Sequence, residues 1–174
     1  MGAGSGILTA ASPTAAFVLR GNLFRCNVAI VERSVLVEYT ASQMYALVDG
    51  VERYPEFLPW CGGTHVHLRA PGRVRATVQI AFRGVRHAFS TENVSTADER
   101  IDIRLVDGPF RHLDGSWSFT ALGDSACKVH LRLRYEFSNR ILERIVGPVF
   151  DHIASGFVDA FVARAAQLHV RGRE

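Results

Sequence analysis

The stretch "CKVHLRLRYEF", residues 127–137, alternates without a break. Cys127, Val129, Leu131, Leu133, Tyr135 and Phe137 fall on one parity, and Lys128, His130, Arg132, Arg134 and Glu136 on the other. A period of two over this length predicts a strand with one buried and one wet face. "RVRATVQIAFR" repeats the pattern through Val74, Ala76, Val78, Ile80 and Phe82. Between the two lie "HAFSTENV", "RIDIRLV" and "HLDGSWSFTA", separated by turn signals at Pro71-Gly72, Gly84, Ala97-Asp98, Asp107-Gly108-Pro109 and Gly123-Asp124. Hairpin spacing of this kind predicts an antiparallel sheet whose apolar face must be covered.

One element is long enough to cover it. From Asn139 onward, Leu142, Ile145, Val149, Ile153, Phe157, Phe161 and Leu168 recur at helical intervals, which predicts a long helix with one apolar stripe. Gly147-Pro148 predicts a kink there, or a short helix followed by a second one with Pro148 in its first turn. Upstream, "ERSVLVEY" reads as a strand, and Thr40 with Gln43 makes a capping box for a short helix through Met44, Leu47, Val48 and Val51. One strand, a short helical region, about six further strands and a terminal helix make an α+β domain with the helix laid over the sheet.

At 174 residues with 48% apolar side chains, the chain has the size and content of one cored domain. It contains no uninterrupted apolar run of the ~18 to 20 residues that crosses a bilayer. Three cysteines (Cys26, Cys61, Cys127) without CxxC spacing argue against a disulfide framework or a zinc site and favour a reducing compartment. Residues 1–29 lack acidic groups and sustained periodicity, so the domain is expected over 30–170. Three readings of this leader stay open: an organelle transit peptide, a mis-assigned start with the protein beginning near Val28, or a disordered tail.

The inward parity decides what chemistry is on offer. It collects Val66, Leu68, Val74, Val78, Ile80, Phe82, Ile101, Ile103, Leu105, Leu113, Trp117, Phe119, Val129, Leu131, Leu133 and Phe137, with polar atoms only from Cys127, Tyr135 and the Trp117 indole. General acid–base catalysis needs a titratable group beside the substrate. This interior predicts a container rather than an enzyme. His65 and His67 share one side of a strand as a metal pair would, but their parity faces solvent and no third ligand is near in sequence, so no metal site is expected. The outward parity carries Arg73, Arg75, Arg104, Lys128, Arg132 and Arg134 against Asp102, Asp114 and Glu136. Such a face can touch phosphates, or it can close cross-strand ion pairs. No aromatic residues interleave with the basic ones, and nothing calls for DNA.

"YPEFLPWC", residues 54–61, packs bulky side chains and two prolines into a segment too short and too proline-broken for a helix. On a loop at one end of the sheet, Tyr54, Phe57, Leu58, Pro59 and Trp60 would line or gate an apolar pocket, or plug the end of the core. Phe110, after the "VDGP" turn, is a second candidate for the rim. As a gate residue, Trp60 would contribute to a ligand more than to stability.

Taken in order, "YPEFLPWC", "LVDGPFRHLDGSWSF", "YEFSN" and the helix ending "AFVARA" resemble the family of bacterial RatA proteins and mitochondrial coenzyme Q-binding proteins, START-like members of the polyketide-cyclase and lipid-transport superfamily. The resemblance spans about residues 30–170 and implies the helix-grip fold, a curved antiparallel sheet wrapped around a long C-terminal helix. It also implies two activities. One is non-catalytic binding of ubiquinone or a similar lipid in support of respiration, with no other cofactor. The pocket would then be formed by Tyr54, Phe57, Leu58, Trp60, Val78, Ile80, Phe82, Leu105, Phe110, Trp117, Leu131, Phe150, Ile153, Phe157 and Phe161. The alternative is a toxin that binds the large ribosomal subunit and blocks subunit association, through Arg73, Arg75, Arg104, Arg132 and Arg134. The implied setting is the bacterial cytoplasm or the periphery of the inner membrane, with transient membrane contact. A transit-peptide leader would instead place the protein in mitochondria.

Overall fold

The computed structural model describes residues 28–169. Strand β1 (Ala29–Val37) is followed by α1 (Ala41–Asp49), a 3-10 turn (Val51–Arg53) and the one-turn helix α2 (Tyr54–Phe57). Six strands come next: β2 (Cys61–Ala70), β3 (Arg73–Phe82), β4 (Val85–Thr96), β5 (Arg100–Asp107), β6 (Phe110–Ala121) and β7 (Cys127–Phe137). Helix α3 (Arg140–His169) is the last described element. The seven strands form one antiparallel sheet in the order β1-β7-β6-β5-β4-β3-β2. A curved sheet gripping a terminal helix is the helix-grip fold. Of the leader, only Val28 and Ala29 lie among the described residues, and Ala29 already belongs to β1.

Local chemistry accounts for most boundaries. Thr40 caps α1 reciprocally: its hydroxyl accepts from the Gln43 amide at 3.1 Å, and its own amide donates to the Gln43 side chain at 2.9 Å. Gly72, Gly84 and Gly123 take the positive φ that their hairpin turns require. At Gly115, in mid-sheet, a Cβ would stand 2.6 Å from the Arg132 carbonyl oxygen, so only glycine lets β6 lie this close to β7.

Three expectations are corrected, and one alternative is decided. "YPEF" does form a helical turn, because Pro55 sits in its first turn, where a missing N–H costs nothing, and the Leu58 amide reaches the Tyr54 carbonyl at 2.9 Å. Of the two readings at Gly147-Pro148, the two-helix one is not taken: α3 runs through as one element, with Val146 and Phe150 buried on either side. Its buried stripe is Val146, Phe150, Ile153, Ala154, Val158, Phe161 and Ala165, while Ile145 is 56% exposed and Leu168 also reaches solvent. The stripe is therefore turned about one position from the expected phase. Leu68 is 39% exposed rather than inward. A bulge lies between Val66, opposite Ala76, and Leu68, opposite Arg75, and one extra residue reverses the parity beyond it. The same reversal brings Arg69 opposite the inward Val74, and its guanidinium reaches Asp49 and Glu52 at 2.9 and 2.7 Å.

The outer face resolves mostly into ion pairs. Arg73 and Arg75 share Glu92, Arg134 holds Asp114, and Arg100 holds Asp102. The ladders place Arg134, Asp114, Arg104, Glu92 and Arg75 in one cross-strand row of alternating charge. Helix α3 is long and apolar enough to cross a membrane, yet its apolar stripe is the cover of the sheet.

Candidate functional site

Between α3 and the sheet lies a cavity of about 70 Å³. Val51, Tyr54 and Trp60 come to it from the segment between α1 and β2, and Val78 comes from β3. Phe89, Thr91 and Asn93 come from β4, Ile103 from β5, Leu113 and Trp117 from β6, and Leu131 and Leu133 from β7. Phe150, Phe157 and Phe161 close it from α3. The aromatic walls interlock edge to face: Trp60 on Phe157 at 5.1 Å, Trp117 on Phe161 at 5.3 Å and Tyr54 on Phe161 at 5.4 Å. The volume is several times that of a single water site and well below a typical drug-sized pocket, ~300 Å³ or more. It fits a small ring, and a longer ligand requires lining side chains to swing aside.

The segment carrying Val51, Tyr54 and Trp60 is latched at both ends. Arg69 of β2 holds Asp49 and Glu52, and Arg164 of α3 holds Glu56 at 2.5 Å while lying over the Phe57 ring. The Tyr54 hydroxyl donates to the Val48 carbonyl at 2.7 Å. Burial first, and then the charge of Asp49, push the Tyr54 phenol far above its ordinary range, so it stays protonated. Among the described residues, no carboxylate, histidine, lysine or arginine lines the cavity. Thr91 is 8% exposed, and the Asn93 side-chain oxygen is buried without a hydrogen-bond partner among the described residues.

Eight of the expected pocket residues meet on these walls: Tyr54, Trp60, Val78, Trp117, Leu131, Phe150, Phe157 and Phe161. The other seven lie elsewhere. Leu58, Ile80 and Ile153 are buried in the adjoining core, and Leu105 packs partly buried against it. Phe57 packs on Phe161 beneath Arg164, and Phe82 stacks on His152. Phe110 is not a rim residue, because it joins a buried cluster with Phe89, Tyr135, Phe137 and Phe150. Trp60 belongs to a wall rather than to an open mouth, at 7% exposure. Thr91 and Asn93 were missing from the expected lining, although Phe89 in "HAFSTENV" sets a parity that includes both.

Away from the cavity, the Tyr135 hydroxyl donates to the Asp151 carboxylate across the sheet–helix seam. Burial and that carboxylate raise its pKa. The His65 and His67 rings stand 4.7 Å apart, with His67 bonded to Thr77. No cluster of three metal-ligating side chains occurs among the described residues.

Residues 37–162 match the model of a family described as polyketide cyclase/dehydrase and lipid transport. The chain belongs to that family. Among curated relatives, the ribosome association toxin RatA of Vibrio cholerae is 44% identical over 139 residues, covering 80% of this chain and 96% of the relative. A mitochondrial coenzyme Q-binding protein of Xenopus laevis is 25% identical over 142 residues, covering 79% of this chain and 58% of that one. Among solved structures, an 18 kDa protein of Caulobacter crescentus is 32% identical with a TM-score of 0.64, covering 81% of this chain and 98% of that one. The Zhui aromatase/cyclase of Streptomyces sp. R1128 superposes with a TM-score of 0.70 at 15% identity, covering 83% and 96%. At that identity the likeness is one of fold alone.

Proposed function

We propose that this protein binds a neutral apolar ligand, ubiquinone or a similar lipid, between α3 and the sheet, and does not turn it over. One observation carries the reading: apart from Thr91 and Asn93 the described lining is apolar and aromatic, and it is free of ionisable groups other than the hydrogen-bonded Tyr54 phenol. Such a wall takes up apolar surface from water and repels ionised groups. It offers no general acid or base at neutral pH. The coenzyme Q-binding relative favours a quinone as the ligand. Mass spectrometry of lipids extracted from the purified protein, with thermal shift by ubiquinone analogues, tests the reading. A co-purifying quinone or prenyl lipid and a raised melting midpoint are expected. No extractable lipid together with no shift from any quinone would overturn it.

A second reading, ribosome association, is favoured by the name of the 44% identical relative. On the outer face, Arg73, Arg75 and Arg134 are committed to carboxylates, whereas Arg104 and Arg132 form no ion pair among the described residues. Binding through this face would rest on the latter two and weaken with salt. Reversal of both to Glu should abolish co-sedimentation with large ribosomal subunits. Wild-type protein that fails to sediment with them at low salt would remove this reading.

A further inference from the structure

The cavity wall contains a local rule broken in mid-sheet. Thr91 and Asn93 stand two residues apart on the inner face of β4, among aromatic and aliphatic side chains. Across the ladders, Asn93 is flanked by Val74 and Ile103, and Thr91 by Ala76 and Leu105. No neighbour on either adjoining strand can answer the amide, and its oxygen is buried without a partner. A buried, unanswered polar group is a standing cost, and leucine or valine would fill the same wall without it. Asn93 is half-buried and lines the cavity, so a partner for the amide is available from that side.

We infer that Thr91 and Asn93 select the head group of the ligand: a neutral oxygen-bearing ring, a quinone or its quinol, with its carbonyl or hydroxyl against β4. The inference rests on the apolar-carrier reading and adds the residues that set its specificity. A primary amide both donates and accepts, so Asn93 answers a ring carbonyl through its N–H and a ring hydroxyl through its oxygen. The Thr91 hydroxyl has the same double capacity. An ionised head is rejected, because the lining contains no cation to pair with a carboxylate or phosphate. The ring enters the polar end, and the apolar tail runs along the aromatic wall of Trp60 and Phe157 toward the latched segment.

The test compares two probes on the delipidated full chain: a ubiquinone analogue with a single isoprenoid unit, and palmitate, read by quenching of tryptophan fluorescence and by calorimetry. The wild type should bind the quinone at least about tenfold more tightly than palmitate. Asn93→Leu should lower quinone affinity about tenfold, leave palmitate unchanged and raise the melting midpoint of the ligand-free protein. Thr91→Val, nearly isosteric, should weaken the quinone severalfold and serves as the test if Asn93→Leu fails to fold. Equal quinone binding by the wild type and both variants would overturn the head-group assignment and leave the carrier reading standing, whereas tighter binding of palmitate would overturn both the assignment and the neutrality of the ligand. Wild-type protein that binds neither probe would overturn the assignment and the carrier reading.

Discussion

Trp60→Ala separates a wall from a gate. The indole is buried, packs edge to face on Phe157 at 5.1 Å, and its backbone carbonyl accepts from the Ala81 amide at 2.8 Å. The backbone bond survives the substitution, so the loss is one of side-chain burial. A buried tryptophan covers about 200 Å². At about 25 cal/mol per Å² this is worth ~5 kcal/mol at most, an upper bound because the denatured chain already hides part of that surface. Part of the indole also faces the existing cavity, where contacts are already missing. The expected cost is therefore about 3 kcal/mol, at the low end for removing a buried aromatic.

For a domain of this size, about 3 kcal/mol lowers the melting midpoint by roughly 6 to 12 °C. Circular dichroism melts of ligand-free protein measure it, and urea titration at constant m-value checks that the denatured state has not changed. Trp60→Phe, which keeps a ring against Phe157, should lose about half as much. A quinone at a hundredfold excess over its Kd should restore about 2.7 kcal/mol to the wild type. A loss below ~1 kcal/mol for Trp60→Ala would show that the indole spends its time in solvent, and that the segment is an open gate. Large destabilisation with no quinone shift in any variant would mean a filled core with no ligand.

Three further outcomes are expected. Arg164→Ala removes both the contact to Glu56 and the guanidinium over Phe57, and should cost about 1 kcal/mol while speeding amide exchange in residues 54–58, read by hydrogen exchange. Gly115→Ala drives a Cβ to 2.6 Å from a backbone oxygen and should destabilise by ~3 kcal/mol or more, whereas Gly156→Ala, in open space on α3, should stabilise by up to ~1 kcal/mol in the same urea assay. Arg73 and Arg75 hold the Glu92 carboxyl, and Arg100 the Asp102 carboxyl, below the usual range, so their stabilisation is present at neutral pH and lost as pH falls through those depressed values; burial raises the Cys61 and Cys127 thiols, so stability also declines above about pH 9, and Glu92→Gln should flatten the acid limb of a melting-temperature profile.

The sheet was legible because period-two alternation survives over ten or so residues in β3 and β7, and the capping box at Thr40 is a local interaction that needs no tertiary knowledge. The departures have local causes that apolar patterning does not report. The bulge after Val66 adds a residue without altering composition, so Leu68 looks inward until its partner, Arg75, is known. The phase of α3 slips because alanine and glycine at Ala154, Ala165 and Gly147 allow close approach to the sheet, and small residues carry little weight in a hydrophobic stripe. Thr91 and Asn93 escaped notice because a search for bulky apolar side chains discards polar ones, which are the residues able to discriminate between ligands.

The two proposed activities draw on opposite faces of the same strands. On β4, Glu92 points out to hold Arg73 and Arg75, while Thr91 and Asn93 on either side of it point in. The β3–β4 ladder keeps one register from Arg73 opposite Val94 to Phe82 opposite Val85, so a ligand cannot shift the outer row without breaking a continuous run of pairs. Substitutions at Asn93 and at Arg132 should therefore act independently, each on its own assay. A ligand larger than the present cavity must move something less firmly tied. The segment from Val51 to Trp60 lies outside those ladders and supplies three lining side chains; buried Val51, Leu58 and Trp60 and the Ala81 amide on the Trp60 carbonyl hold it to the core, and the Arg69 pairs, the Arg164–Glu56 pair and one tyrosine hydroxyl fasten its outer side. Surface ion pairs are worth only a fraction of a kcal/mol to about 1 kcal/mol each. Any coupling between a filled cavity and an outside partner would then run through this segment and the C-terminal turns of α3, and not through the sheet.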